Sequence, residues 1–167
     1  MMRALAPLAL LALLGGCGLK PLYAGGSSGQ VAAGLGQVEI APIEGKAGWL
    51  VANALRDRLG PAPASGAARY RLQIKLQDEI TGLAIRRDDS VARERRVLRA
   101  RYQLVEIGKD SVVLDATAGS DAGIDVVGSE YATIAAESTA LERLSGIVAD
   151  QIVTRVAVHV GRMPPAP

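Results

Sequence analysis

A chain of 167 residues with 19 Lys and Arg against 17 Asp and Glu has the length of one ordinary domain and almost no net charge, which excludes a global polyanion-binding field. Hydrophobic residues reach 49%, yet aromatics are only 3% and Phe is absent, so the core has to be built from Val, Leu, Ile and Ala.

The first segment is a targeting signal. Arg3 supplies a positive start, and Ala4 to Leu14 is an Ala/Leu run broken only by Pro7. About 11 apolar residues are too few for a membrane span, which needs roughly 20. Leu14-Gly15-Gly16-Cys17 follows and looks like a bacterial lipobox, the motif at which a cysteine is diacylated, the peptide cut before it, and the new amine acylated. Cys17 is the only cysteine, so no internal disulfide is open to it, and acylation accounts for both its position and its isolation. Residues 1–16 therefore read as a lipoprotein signal peptide, and Cys17 as the carrier of diacylglycerol and a palmitate-type N-acyl chain. Three acyl chains anchor far more firmly than one. Gly18, rather than Asp, after the cysteine favours the outer membrane, with the body of the chain facing the periplasm. Residues 17–34 read as the lipidated N-terminus and a Gly/Ser tether.

Residues 35–161 carry the predicted elements. Gly36 to Ile43 alternates as a first strand, ending near Pro42. Trp49 to Leu59 has helical spacing, with Val51, Ala54, Leu55 and Leu59 on one face, and Gly60-Pro61 stops it. The second strand is the clearest pattern: Tyr70, Leu72, Ile74 and Leu76 alternate with Arg71, Gln73, Lys75 and Gln77, and the strand continues toward Ile85 with a disturbance near Gly82. A third strand runs from Glu94 to Ile107 with Leu98, Ala100, Tyr102 and Leu104 inward. Gly108-Lys109-Asp110 turns the chain into a fourth strand, whose inner face is Val112, Leu114, Ala116 and Ala118. Ser129 is positioned to cap a helix that runs to Val160, with Ile134, Leu141, Leu144, Val148, Ile152 and Val156 as its stripe. Residues 162–167 read as a disordered tail. The expected fold is α+β: a two-layer sandwich in the order β-α-β-β-β-α, with a four-stranded, mostly antiparallel sheet covered on one face by two helices.

No catalytic constellation is present in this sequence. His159 is the lone histidine, at a helix end, and no second His or free Cys could join it in a metal site. No GxGxxG, P-loop or G-x-S-x-G motif occurs. These absences point to a non-enzymatic protein without metal or cofactor, apart from the covalent lipid. The uneven feature is a cluster of arginines. Arg86 and Arg87 close one strand, and Arg93, Arg95, Arg96, Arg99 and Arg101 crowd the next. If the two strands pair, these seven meet at one end of the wet sheet face. An ordinary charged surface that deters edge-to-edge aggregation accounts for them as readily as an anion-binding site does.

Cys17-Gly18-Leu19-Lys20-Pro21-Leu22-Tyr23 resembles the mature N-terminus of alphaproteobacterial LptE, a lipopolysaccharide-assembly lipoprotein family; Leu19 stands where the family often has an aromatic. The element order and the closing Ser129-Glu130-Tyr131-Ala132 helix are similar as well. The resemblance implies a plug and assembly partner of the LptD β-barrel, in contact with lipopolysaccharide on its way to the outer membrane, whose phosphates the arginines would meet. Nucleic acid is not an expected partner of an exported, lipid-anchored chain. The alternative reading is an auxiliary lipoprotein of a lipid ABC transport system.

Overall fold

The computed structural model describes residues 29–60, 68–85 and 91–162. Cys17, the signal peptide, the Gly/Ser stretch up to residue 28 and residues 163–167 lie outside them. The elements are α1 (Gln30–Gly36), β1 (Val38–Ile40), α2 (Gly45–Leu59), β2 (Tyr70–Ile85), β3 (Val91–Glu106), β4 (Ser111–Asp125) and α3 (Glu130–Val160). The strands form one open mixed sheet in the order β1-β2-β3-β4. Only β1–β2 is parallel, joined through α2, and β2–β3–β4 is an antiparallel meander. The α+β layout expected from the pattern is present, with one element more. Residues 30–36, of which 30–34 read as tether and Gly36 as the start of the first strand, form α1, and Leu35 on it is buried.

The helices cover one face of the sheet. Tyr70, Leu72 and Ile74 of β2 and Leu98, Ala100, Tyr102 and Leu104 of β3 point into that layer, where Val51 and Leu55 of α2 and Leu141, Leu144, Val148, Ile152 and Val156 of α3 meet them. Lys46 donates to Ser138, and Arg58 pairs with Asp150; both separations are 92 residues, so α2 and α3 run parallel and side by side. Two close approaches set the layer. A Cβ on Gly48 would come within 2.6 Å of the Ile43 carbonyl oxygen, and one on Gly34 would run into the Val160 side chain, where α1 seats on the end of α3.

Three local features refine the expected pattern. First, Ser129 caps α3 as its position implies: its hydroxyl accepts from the Ala132 N–H at 3.4 Å. Second, Ile134, expected in the buried stripe, is 55% exposed. It lies one turn before Ser138, the level at which α2 begins, so no helix stands beside it. Third, Val112, expected on the inner face of β4, is 52% exposed. Leu104 pairs with Leu114 but Val105 with Val112, so Val113 is an extra residue in β4. That bulge reverses the phase of alternation at the start of the strand, turning Val112 outward while Val113 packs partly against the core.

Candidate functional site

The uncovered face of the sheet carries the odd-numbered residues of β2 and β3 and, beyond the bulge, of β4. Register places them in rows across three strands: Gln73–Gln103–Asp115, Lys75–Arg101–Thr117, Gln77–Arg99–Gly119, Glu79–Val97–Asp121, Thr81–Arg95–Gly123. Successive rows are about 7 Å apart, two residues along a strand. Side chains two rows wide and three strands deep can therefore reach one another.

Of the seven arginines expected to converge, Arg86 and Arg87 lie outside the described residues. Arg93, Arg95, Arg99 and Arg101 share the open face. Arg96 does not. Being even-numbered, it points to the helix-covered face, where it makes a two-pronged pair with Asp78 at 2.6 and 2.8 Å and donates through Nη1 to the Glu137 carbonyl of α3 at 2.9 Å. Its side chain is 12% exposed. Arg96 thus clamps α3 to the sheet and leaves the anion surface.

The open-face arginines are mostly answered by carboxylates of β4. Arg93 pairs with Asp125 at 3.3 Å, Arg95 with Asp121 at 3.0 Å, and Arg101 with Asp115 at 3.1 Å, where Gln103 donates to the same carboxylate at 2.8 Å. The Arg101 hydrogen bond holds Asp115 below the usual carboxylate range, with Gln103 contributing next, and that of Arg95 does the same for Asp121. The pairs are exposed, so each contributes little to stability. Their effect is to cancel most of the cationic field that the sequence implies. A hollow of about 600 Å³ lies in this face, lined by Lys75, Gln77, Arg95, Arg99, Arg101 and Thr117 and reaching the β4 edge at Gly119. At that edge Gln151 of α3 accepts from the Gly119 N–H at 3.0 Å and donates to its carbonyl at 3.2 Å, occupying one outward backbone unit of the edge strand.

Asp115, Asp121 and Asp125 were not singled out from the sequence, although their spacing carries the signal. Counting across the Gly108–Asp110 turn sets Arg101 opposite β4, but Val113 shifts the count by one residue and hides which acids face which arginines. Among the described residues no group of His, Cys, Asp and Glu is placed to hold a metal ion, and no helix is long and apolar enough to cross a membrane. His159 sits near the end of α3, its Nε2 buried without a hydrogen-bond partner.

The model of the LptE lipopolysaccharide-assembly family matches residues 35–156. The chain belongs to the LptE family. Membership carries a role in lipopolysaccharide assembly, and the family is one of non-enzymatic, outer-membrane-associated lipoproteins. The match begins within α1 and ends one turn before the end of α3, so every strand of this LptE-family fold lies inside it. Solved structures share the fold. A lipoprotein of Caulobacter crescentus CB15 superposes with a TM-score of 0.67 at 23% identity, covering 83% of this chain and 100% of its own. Lipoprotein B of Nitrosomonas europaea gives 0.57 at 15% identity, over 75% of this chain and 84% of its own. The rare lipoprotein B of Shewanella oneidensis gives 0.52 at 16%, over 72% and 92%. Among curated proteins none matches the sequence.

Proposed function

We propose that this LptE-family chain is a non-enzymatic outer-membrane subunit, held by an acylated Cys17 with its body on the periplasmic side, that partners the LptD β-barrel and contacts lipopolysaccharide during its insertion. The observation that carries the reading is the family match across 35–156. Two features of the molecule support it. The body is a sheet backed by helices along its length, a stiff shape suited to occupying a polar lumen. Its uncovered face is polar, with charges largely neutralised in pairs, which suits a wet barrel wall better than a bilayer. Arg93, Arg95, Arg99 and Arg101 form the surface proposed to meet the anionic lipid; Arg86 and Arg87, of the same expected set, lie outside the described residues. Arg96 is withdrawn from that set because its guanidinium is engaged beneath α3.

The test is co-purification of the full-length chain from detergent-solubilised outer membrane. A large β-barrel partner is the expected result. Recovery with a permease or a substrate-binding subunit instead assigns the chain to a lipid ABC transport system and overturns the reading. A chain found unacylated and free in the periplasm overturns it as well.

A further inference from the structure

On the β1 side the sheet ends in a short strand whose outer edge is open. The Gln37 carbonyl accepts from the Tyr70 N–H at 3.1 Å, and the Ala41 N–H donates to Leu72 at 2.9 Å, so the odd-numbered residues turn their backbone groups to β2. The N–H and C=O of Val38 and Ile40 therefore point the other way, where no further strand stands among the described residues. A hollow of about 620 Å³ runs along this edge, between β1 and the last turns of α2. Val38, Ile40 and Leu59 give it an apolar wall, and Glu39, Arg56 and Asp57 stand around it. An open strand edge beside an apolar wall is the geometry that accepts an added strand.

The chain carries a segment of matching pattern. Gly18-Leu19-Lys20-Pro21-Leu22-Tyr23 stands between the acylation motif and the Gly/Ser stretch. In an extended strand Leu19, Pro21 and Tyr23 share one face, and Lys20 falls on the other. A plain spacer needs none of these apolar residues. We propose that residues 18–23 add to the free edge of β1 as a parallel fifth strand, with Leu19 beside Val38, Lys20 beside Glu39 and Pro21 beside Ile40. Leu19 and Pro21 then meet the apolar wall below α2. Lys20 extends a row of alternating charge, since Arg71 already pairs with Glu39 at 3.7 Å. Pro21 sets the direction. In the parallel register residues 18, 20 and 22 supply the backbone bonds to β1, and Pro21, which has no N–H, faces outward. An antiparallel strand with the same neighbours would turn Pro21 toward Val38 and lose a bond. A parallel connection needs about a dozen residues, and residues 24–37, α1 among them, supply that length. Because α1 joins the helix layer by seating on α3, the connection takes the same hand as β1-α2-β2. With Cys17 acylated, as proposed above, the lipid then joins the body directly at its β1 flank, and the fold rather than a spacer sets the reach of the anchor. The docking itself does not depend on that reading.

The test uses the full-length chain in detergent. Lys20→Cys with Glu39→Cys sets two thiols at neighbouring strand positions, within disulfide reach. Lys20→Cys with Asp115→Cys, on the far strand of the sheet, is the control. Mild oxidation is expected to link 20 to 39 in most chains and 20 to 115 in few, read by mass spectrometry of the linked peptides. Amide exchange is the second readout. The Val38 and Ile40 N–H groups should exchange slowly in the unaltered chain and at least about tenfold faster in Leu19→Asp, which sets a charge against the apolar wall, while the Glu39 N–H, bonded to β2, is unchanged. Melting curves check that the variants fold; should Leu19→Asp fail to fold, Leu19→Gly decides in its place. Equal linkage in the two cysteine pairs, or exchange at Val38 and Ile40 that is fast and indifferent to residue 19, overturns the proposal. Protection that grows with chain concentration, with Glu39→Cys chains linked to one another, assigns the edge to a second copy and overturns it too. Protection seen only in chains recovered with the barrel assigns the edge to that partner; it rejects the docking and leaves the assembly role intact.

Discussion

Arg95 and Arg96 are adjacent in sequence, and the two-residue period of a strand sends them to opposite faces. Arg95 ends in solvent beside Asp121, whereas Arg96 is drawn under α3 by Asp78 and the Glu137 carbonyl. The difference is one of hydration. An exposed pair exchanges one set of strong water contacts for another and gains little. A mostly buried guanidinium with three protein acceptors has no water to fall back on when one is removed. Arg96→Gln is therefore expected to lower the unfolding free energy by about 1–3 kcal/mol in urea titrations, against less than about 0.5 kcal/mol for Arg93→Gln. Equal effects at the two positions would contradict the assignment of Arg96 as a clamp. Alternation alone could have separated Arg96 from the rest of the cluster; what it could not supply was the identity of the acid that each arginine meets.

At the level of elements, α3 is held at three points along its length. Its start is fixed by the Ser129 cap, its middle by contacts with α2 and the sheet, and its end by α1, whose Gly34 abuts Val160. At 31 residues the helix is about 46 Å long, so its ends respond to separate changes. Ser129→Ala removes the hydroxyl that satisfies a free N–H and should cost about 1 kcal/mol. Gly34→Ala forces a methyl against Val160 and should cost about 1–3 kcal/mol as α1 is displaced. Because the sites are far apart, the two losses should add in the double variant, measured by thermal or denaturant unfolding. α1 was missed in the sequence because seven residues rich in Ala and Gly show no amphipathic period. Its helical state comes from seating Leu35 and Gly34 on α3.

Over the whole molecule the exposed ion pairs act together on acid stability. Asp115, Asp121 and Asp150 are each held below the usual carboxylate range by an arginine, and Glu106 by Lys109 first and then Arg69. In the acid range the folded chain thus binds fewer protons than the unfolded one. Stability contributed by these groups is full above the unfolded carboxylate values, about 4, and is lost as pH falls from there through the depressed folded values. Denaturant midpoints should be flat from pH 7 to about 5 and decline below about 4. High salt should flatten the decline, since the pairs are exposed. A midpoint that rises on acidification would refute the assignment.

The sequence by itself determined the period of the three long strands and of α2 and α3, the capped start and Gly-terminated end of α3, the α+β layout, and the pattern that resembles LptE, because these depend on local spacing and on which side chains avoid water. Tertiary structure decided what depends on register and neighbours. The bulge at Val113 chose which acids answer which arginines, and the late start of α2 left Ile134 uncovered. A charge has a fixed sign in the sequence, but whether it is cancelled is a matter of a few ångströms between strands, and those distances exist only once the sheet has formed.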